Sequence, residues 1–206
     1  MKEWITSDYH FGHKNITGPE GFCTTRRHLK DAEEMNAALI AAHNAVVSND
    51  DRTYHLGDLT VGLKPQQIHE LLMQMKGSFI FILGNHDSQK AFKKLNTFNY
   101  ELPCGRMKYE SFELVGKRLK ANKKVYYLTH YPMGLGDKRL TLRNLCGHIH
   151  EDATTGINLL NVGIDSTEIG ERPFGEPLLL EEAMRLVDEK YERHQQLTAA
   201  DIKRYR

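Results

Sequence analysis

Cysteine is scarce in this chain of 206 residues: Cys23, Cys104 and Cys146 are the only three. An odd number in no paired spacing suggests neither a disulfide framework nor a cysteine-based zinc site, and it fits a reducing compartment. Net charge is equally slight, formally +1, so nothing pulls the whole molecule toward nucleic acid or an anionic membrane. No apolar run approaches the ~20 residues of a membrane span, and there is no internal repeat, low-complexity tract or long flexible linker. With 40% hydrophobic residues the chain can build a substantial core. The expectation is a single domain over residues 1–206 with a charged helical tail from about residue 181. A polar motif beginning at Asp8 leaves no room for a removable signal peptide before it, so the expected location is cytoplasmic.

What the chain does have is a recurring pattern of an apolar run followed by polar side chains. Phe79 to Leu83 reads as a buried strand, and Gly84-Asn85-His86-Asp87 follows it directly. Asp8-Tyr9-His10, Gly57-Asp58, Thr129-His130 and Gly147-His148-Ile149-His150 stand behind comparable runs. Strand ends release the chain at a sheet edge, where function concentrates. In an extended segment, residues two apart share a face, so Asp8 and His10 could reach one ion while Tyr9 points away. Asp87 is open to two readings, a cap for a helix over about 88–96 or a member of the polar cluster. His13 either touches substrate or sits at the surface.

Apolar positions from Leu29 to Val46 recur at helical spacing and predict a helix from about Thr25 to Val47, in which His28 and His43 are packing or surface residues. Thr53 to Leu56 reads as a strand, and a second helix opens with Pro65 and ends near Gly77. Between Phe98 and Leu128 the helical period disappears, and β-prone residues with a turn at Ala121-Asn122 suggest a second sheet. Further strands are expected at Leu142 to Cys146 and Ile157 to Val162, and an amphipathic helix from Glu181 to about His194. The lysines and arginine at 117–124 read as a solvated hairpin edge.

Asp, His and Asn without cysteine suit borderline to hard divalent cations: manganese first, with iron or zinc as alternatives. Asp8, His10, Asp58, Asn85, His130, His148 and His150 are too many for one tetrahedral ion but suit two ions sharing a carboxylate. Two ions ~3.5–4 Å apart are a recognised arrangement for in-line displacement at phosphorus. Two divalent cations, two aspartates, a bridging hydroxide and one phosphodiester anion sum to neutrality, so such a site favours an anionic substrate.

The order Asp-x-His, Gly-Asp, Gly-Asn-His-Asp, His, Gly-His-x-His resembles the calcineurin-like metallophosphoesterase family. Each piece alone is weak, whereas five in this order from Asp8 to His150 are specific. The resemblance implies an α/β fold, a four-layer α/β/β/α sandwich of two mixed β-sheets flanked by helices. It implies that Asp8, His10 and His150 hold one metal, that Asn85, His130 and His148 hold the other, and that Asp58 bridges them. His86 would stay free of metal and act on substrate as the catalytic general acid. The resemblance does not specify the segment from Glu168 onward.

Phosphoprotein phosphatases of this family follow Gly-Asp with a motif ending in Arg-Gly, whose arginine binds phosphate; here the sequence is Gly57-Asp58-Leu59-Thr60-Val61-Gly62. They also usually carry Glu where this chain has Asp87. The expected activity is therefore hydrolysis of a small or nucleotide-like phosphodiester by metal-bound hydroxide. A nuclease of the same family is the alternative, disfavoured by the near-neutral charge. Scaffold proteins of the same fold lack the catalytic histidine, and the presence of His86 favours an enzyme. No membrane partner is expected, and the oligomeric state is left open.

Overall fold

The protein is described from a computed structural model covering residues 1–136 and 139–204. Strand β1 (Glu3–Thr6) pairs in parallel with β2 (Arg52–His55), β2 with β3 (Ser78–Ile82), and β3 with β4 (Tyr109–Glu113). A two-residue strand, β9 (Leu178–Leu179), adds antiparallel to β1 and completes a five-stranded sheet of order β4-β3-β2-β1-β9. The second sheet has the order β5-β6-β7-β8, built from Gly116–Ala121, Lys124–Thr129, Leu142–Cys146 and Leu159–Asn161. β5 is antiparallel to β6, and the other pairings are parallel. Two mixed sheets flanked by helices are the α/β architecture expected from the sequence.

Strand alternation decides what each face packs against. On β3, Phe79 and Phe81 join a cluster with Met35 and Leu39 of α1 (Ala32–Val46), Ile68 and Leu72 of α2 (Pro65–Met73), and Phe92 and Leu95 of α3 (Gln89–Leu95). Phe81 lies at its centre, stacked between Phe79 and Phe112 with ring centroids 5.4 and 5.5 Å away. The alternate residues Ile80 and Ile82 turn the other way and meet Ile5, Tyr54, Tyr126, Leu128 and Leu145. This second core joins the two sheets, and Ala183 and Val187 of α4 (Leu180–Arg204) enter it as well. Lysine and arginine side chains occupy the exposed positions of β5, with Arg118 and Lys120 outward and Leu119 and Ala121 toward this core.

Several boundaries differ from expectation for identifiable reasons. The helix predicted from Thr25 begins at Ala32, where the side chain of Asp31 accepts a hydrogen bond from the Glu34 amide. Such a cap contributes about 1 kcal/mol, and residues 24–26 form only a short 3₁₀ turn. α3 is capped by Ser88, not Asp87. Tyr109 to Glu113 joins the first sheet rather than the second. Asn122 and Lys123, both at positive φ, turn the β5–β6 hairpin. His43 is a packing residue: it is buried, within 3.4 Å of the Tyr9 hydroxyl and stacked on Phe79. α4 runs past His194 to Arg204, while residues 205 and 206 of the expected tail lie outside the described residues.

The consequence for function is geometric. β1, β2, β3, β6 and β7 end at Thr6, His55, Ile82, Thr129 and Cys146, each just ahead of one of the five polar motifs. The carboxyl ends of parallel strands are where ligands bind in α/β sheets.

Candidate metal centre

The chain leaves those strands in left-handed turns. Apart from the hairpin pair, the non-glycine residues at positive φ among those described are Asp8 (61°), His10 (52°), Asp58 (53°), His148 (72°) and His150 (46°). All five belong to the expected ligand set. Side chains with a Cβ resist this region at about 1–3 kcal/mol each, and such strain gathers at sites that need it. Asp8 and His10 thus meet through left-handed backbone rather than through the extended strand the sequence suggested. Hydrogen bonds pin them there, from the Asp8 amide to Gly57 O (3.0 Å) and from the His10 amide to Asp58 O (2.9 Å).

Glycines make room for the carboxylates. A Cβ at Gly84 would press on the Asp58 carboxylate and amide, one at Gly147 on the Ser7 hydroxyl and Asp8, and one at Gly57 on the His130 ring. Each of these glycines directly precedes a motif residue, which gives the Gly-Asp, Gly-Asn-His and Gly-His spacing a steric cause.

Asp58 is the centre of the arrangement. Its Oδ1 accepts from the His86 amide at 2.9 Å. Its Oδ2 lies 3.5 Å from His10 Nε2, 3.5 Å from His130 Nε2 and 4.0 Å from His86 Nε2. The ligand atoms fall into groups capable of holding an ion: Asp8 with His10 and His150, and Asp58 with His130 and His148. Asn85 joins the second side, its Oδ1 2.9 Å from His130 Nε2. All seven expected metal residues therefore come together, and His86 stands with them. Distance alone also groups His86 with His10 and Asp58, but its side chain is 43% exposed while the other two are buried. His13 packs on the rim, its Nδ1 3.3 Å from His10 Nδ1.

Electrostatics show that the donors suit cations. Asp8 is fully buried, and desolvation raises its pKa despite the opposing pull of His150 and His130. Burial also acts on Asp58, yet the hydrogen bond and charge of His130 and the His86 amide carry that carboxyl down to about 2. His130 moves up: burial opposes its charge, but Asp58 and Asp8 outweigh it. His10 falls to about 2, chiefly through burial and then through Arg26, and its buried Nε2 has no hydrogen-bond partner. A neutral imidazole with an unsatisfied nitrogen beside two carboxylates is the donor chemistry of a divalent metal site.

Sequence reasoning missed the layer behind these ligands. Arg26, predicted to lie in a helix, is completely buried. Its guanidinium donates to Asp165 through Nε (3.0 Å) and Nη2 (2.6 Å), to Tyr9 O (3.0 Å) and to Asp8 O (2.5 Å). Asp165 in turn lies 3.2 Å from His150 Nδ1, which leaves Nε2 of that ring for a metal. Although burial opposes the charge of Asp165, Arg26 and His150 hold its pKa far below the usual carboxylate range. Cys23 is also near His150 and Asp165, but burial pushes its thiol up to about 12, so it remains protonated. Asp87 ties two motif turns together by accepting from the Gly84 (2.9 Å) and Leu59 (3.1 Å) amides. A buried arginine answering one Asp after β8 leaves no periodic trace; the one local signal is that Gly163 and Asp165 follow that strand as glycine and aspartate follow the others.

The model of the calcineurin-like phosphoesterase family matches residues 1–182. The chain belongs to this family. The match runs past Glu168, where the motif resemblance stopped, and takes in β9 and the start of α4. Members of the family act on phosphate esters with divalent metals, and the clustered ligands here agree with that. The chain is 41% identical over 87 residues to an uncharacterized protein of Methanocaldococcus jannaschii, a match covering 42% of this chain and 47% of that protein. It is 40% identical over 86 residues to the gene 66 protein of Mycobacterium phage L5, covering 41% of this chain and 39% of that protein. The chain thus spans less than half the length of these relatives. A protein of unknown function from Aquifex aeolicus has the same fold, with a TM-score of 0.61 at 18% identity over 90% of this chain and 98% of that one. No described helix is long and apolar enough to cross a membrane.

The Arg26–Asp165–His150 connection has a measurable consequence. Asp165→Asn is expected to lower the affinity of the Asp8, His10 and His150 group for manganese by about 10–100-fold, as read by calorimetric titration. It is also expected to cost about 3–5 kcal/mol in denaturant unfolding, because Arg26 loses its buried counter-charge. Unaltered metal affinity in the folded variant would show that Asp165 serves stability alone.

Proposed function

We propose that this chain is a two-metal hydrolase of phosphodiesters, acting on a small-molecule or nucleotide-like substrate. The observation that carries the reading is the position of Asp58 Oδ2, 3.5 Å from both His10 Nε2 and His130 Nε2, which belong to separate ligand groups. In this reading Asp8, His10 and His150 hold one ion, Asn85, His130 and His148 hold the other, and Asp58 serves both. Manganese suits these N and O donors, with iron or zinc as alternatives. When bound, such ions neutralise the charge of a phosphate and lower the pKa of water toward ~7.

The side chains supply the rest. A diester carries one negative charge and a monoester dianion up to two, so a monoesterase gains from an arginine on the phosphate. Arg26 is close to the ligands, but it is buried and its donors are spent on Asp165, Asp8 O and Tyr9 O. Together with the absence of an arginine after Asp58, this supports the diester. His86 combines partial exposure with closeness to Asp58, which suits a group that gives a proton to a departing alkoxide. An alkoxide is a poor leaving group and needs that proton, whereas nitrophenolate departs without it.

The reading is tested first by substrate class. Metal-loaded protein should cleave chromogenic diesters faster than matched monoesters and faster than single-stranded nucleic acid. Efficient dephosphorylation of phosphopeptides without diester cleavage would reverse it, and preference for single-stranded nucleic acid would make the chain a nuclease. Asp58→Asn should lose both metal and turnover; retention of two ions per chain by metal analysis, with full activity, would show that Asp58 is not shared. His86→Asn should slow cleavage of nucleotide-like diesters by about 10²–10⁴-fold but that of nitrophenyl diesters far less, at unchanged metal content. Equal losses on both substrates, or loss of an ion, would reassign His86 as a ligand or a structural residue.

A further inference from the structure

Two aromatic rings stand in solvent against the metal-ligand histidines. Phe22 is 55% exposed and Tyr131 52%. The Phe22 ring meets His150 edge-on at 5.8 Å between centroids and His13 at 5.5 Å. Tyr131 lies on the other ligand group, 4.6 Å from His148 and 5.1 Å from His130. A cleft of about 400 Å³ runs from Phe22 along His148 and His150.

The exposure of Phe22 does not come from a slack loop. Its neighbours Gly21 and Cys23 are both buried. The Gly21 carbonyl accepts from Arg27 Nε at 2.8 Å. Just beyond, Glu151, which follows the ligand His150, accepts from the Thr25 amide (2.7 Å) and the Thr24 hydroxyl (2.5 Å), and the Thr25 hydroxyl donates to Asp165 (2.5 Å). The loop is therefore fastened to the His150 turn and to the buried Arg26–Asp165 pair, and it holds one apolar ring outward beside the site. The Tyr131 backbone is held by its carbonyl, which accepts from the Thr129 hydroxyl at 2.6 Å, and its ring rests against His148 and His130. Single exposed apolar residues are ordinary; two held rings flanking one ligand cluster are a built feature.

We propose that Phe22 and Tyr131 are stacking platforms on either side of the metal-ligand cluster, and that they select, among phosphodiesters, those bearing a nucleobase. A base has a π-face for such a ring whatever its identity, so the platforms favour nucleotides as a class over other esters. This rests on the diesterase reading and narrows its substrate. Stacking on one aromatic side chain is worth about 5–150-fold in affinity, which is ~1–3 kcal/mol at 1.4 kcal/mol per tenfold.

The test compares adenosine 5′-monophosphate with ribose 5-phosphate, which share a phosphate and a sugar and differ by the base. Calorimetric titration of manganese-loaded wild-type protein should show the nucleotide bound at least about fivefold more tightly. Phe22→Ala should bring that ratio toward one, Phe22→Trp should keep it, and Tyr131→Ala should reduce it. In a kinetic arm, the ratio of KM values for methyl nitrophenyl phosphate and the nitrophenyl ester of thymidine 5′-phosphate should fall in Phe22→Ala, with the ratio of kcat values unmoved. A wild-type affinity ratio near one, or the same ratio in wild type, Phe22→Ala and Tyr131→Ala, would overturn the proposal. Protein that cleaves neither ester would fail as a diesterase, while the titration would still decide whether the rings bind a base.

Discussion

Left-handed backbone at Asp8, His10, Asp58, His148 and His150 is the constraint on which the rest of the structure depends. At about 1–3 kcal/mol each, five such residues oppose folding by an amount comparable to the net stability of a domain. They persist because their surroundings over-determine them. The strands behind them pack into the apolar core between the sheets through Ile5, Tyr54 and Leu145. The Asp8 and His10 amides bond across strand ends to Gly57 and Asp58, the His148 amide to the Asp8 carboxylate, and the Asp8 carbonyl is held by Arg26. The strain turns side chains off the ends of β1, β2 and β7, strands of two different sheets, toward one point.

That geometry explains why the clustering of these side chains was legible in the sequence while its support was not. Ligands sit in short motifs because a strand end, a glycine and a polar residue must be consecutive, and Gly57, Gly84 and Gly147 are needed wherever a carboxylate or an imidazole packs against the backbone. The apolar alternation that marks β3 is local as well. Arg26 and Asp165 obey no such rule: they are 139 residues apart and meet only once the fold is made. Thr25 to Leu29 reads as helical because Leu29 and the apolar positions after it keep a helical period, and Leu29 is indeed buried. Nothing in that pattern reveals that Arg26 leaves the period to reach Asp165. β9 escaped for a simpler reason, since two residues are too few to alternate.

The two aspartates of the site divide the electrostatic work. Asp58 is stabilised as an anion by His130 and an amide, whereas Asp8, wholly buried, is driven toward its neutral form. A cation held among His10, His150 and Asp8, as the proposed function has it, would reverse that tendency and link its binding to proton release. Asp165 keeps its own charge through Arg26 and orients His150 rather than competing for the ion. Two of the buried anions thus have a partner within the protein, Arg26 for Asp165 and His130 for Asp58, while Asp8 is the carboxylate that the proposed function leaves to an ion.

This sorting bears on substrate. An arginine devoted to Asp165 stiffens the turn that carries His150 and, through Thr25 and Asp165, the loop that carries Phe22. The same guanidinium cannot also move onto a phosphate, because leaving would strand a carboxylate with no exposure and free two backbone carbonyls. Under the proposed function, the positive charge offered to the substrate is then chiefly that of the bound ions. In that reading the site has the charge to accept one phosphodiester anion but little surplus for a dianion. Within that reading, further discrimination comes from what lies around the phosphate, where Phe22 and Tyr131 stand exposed beside the clustered histidines.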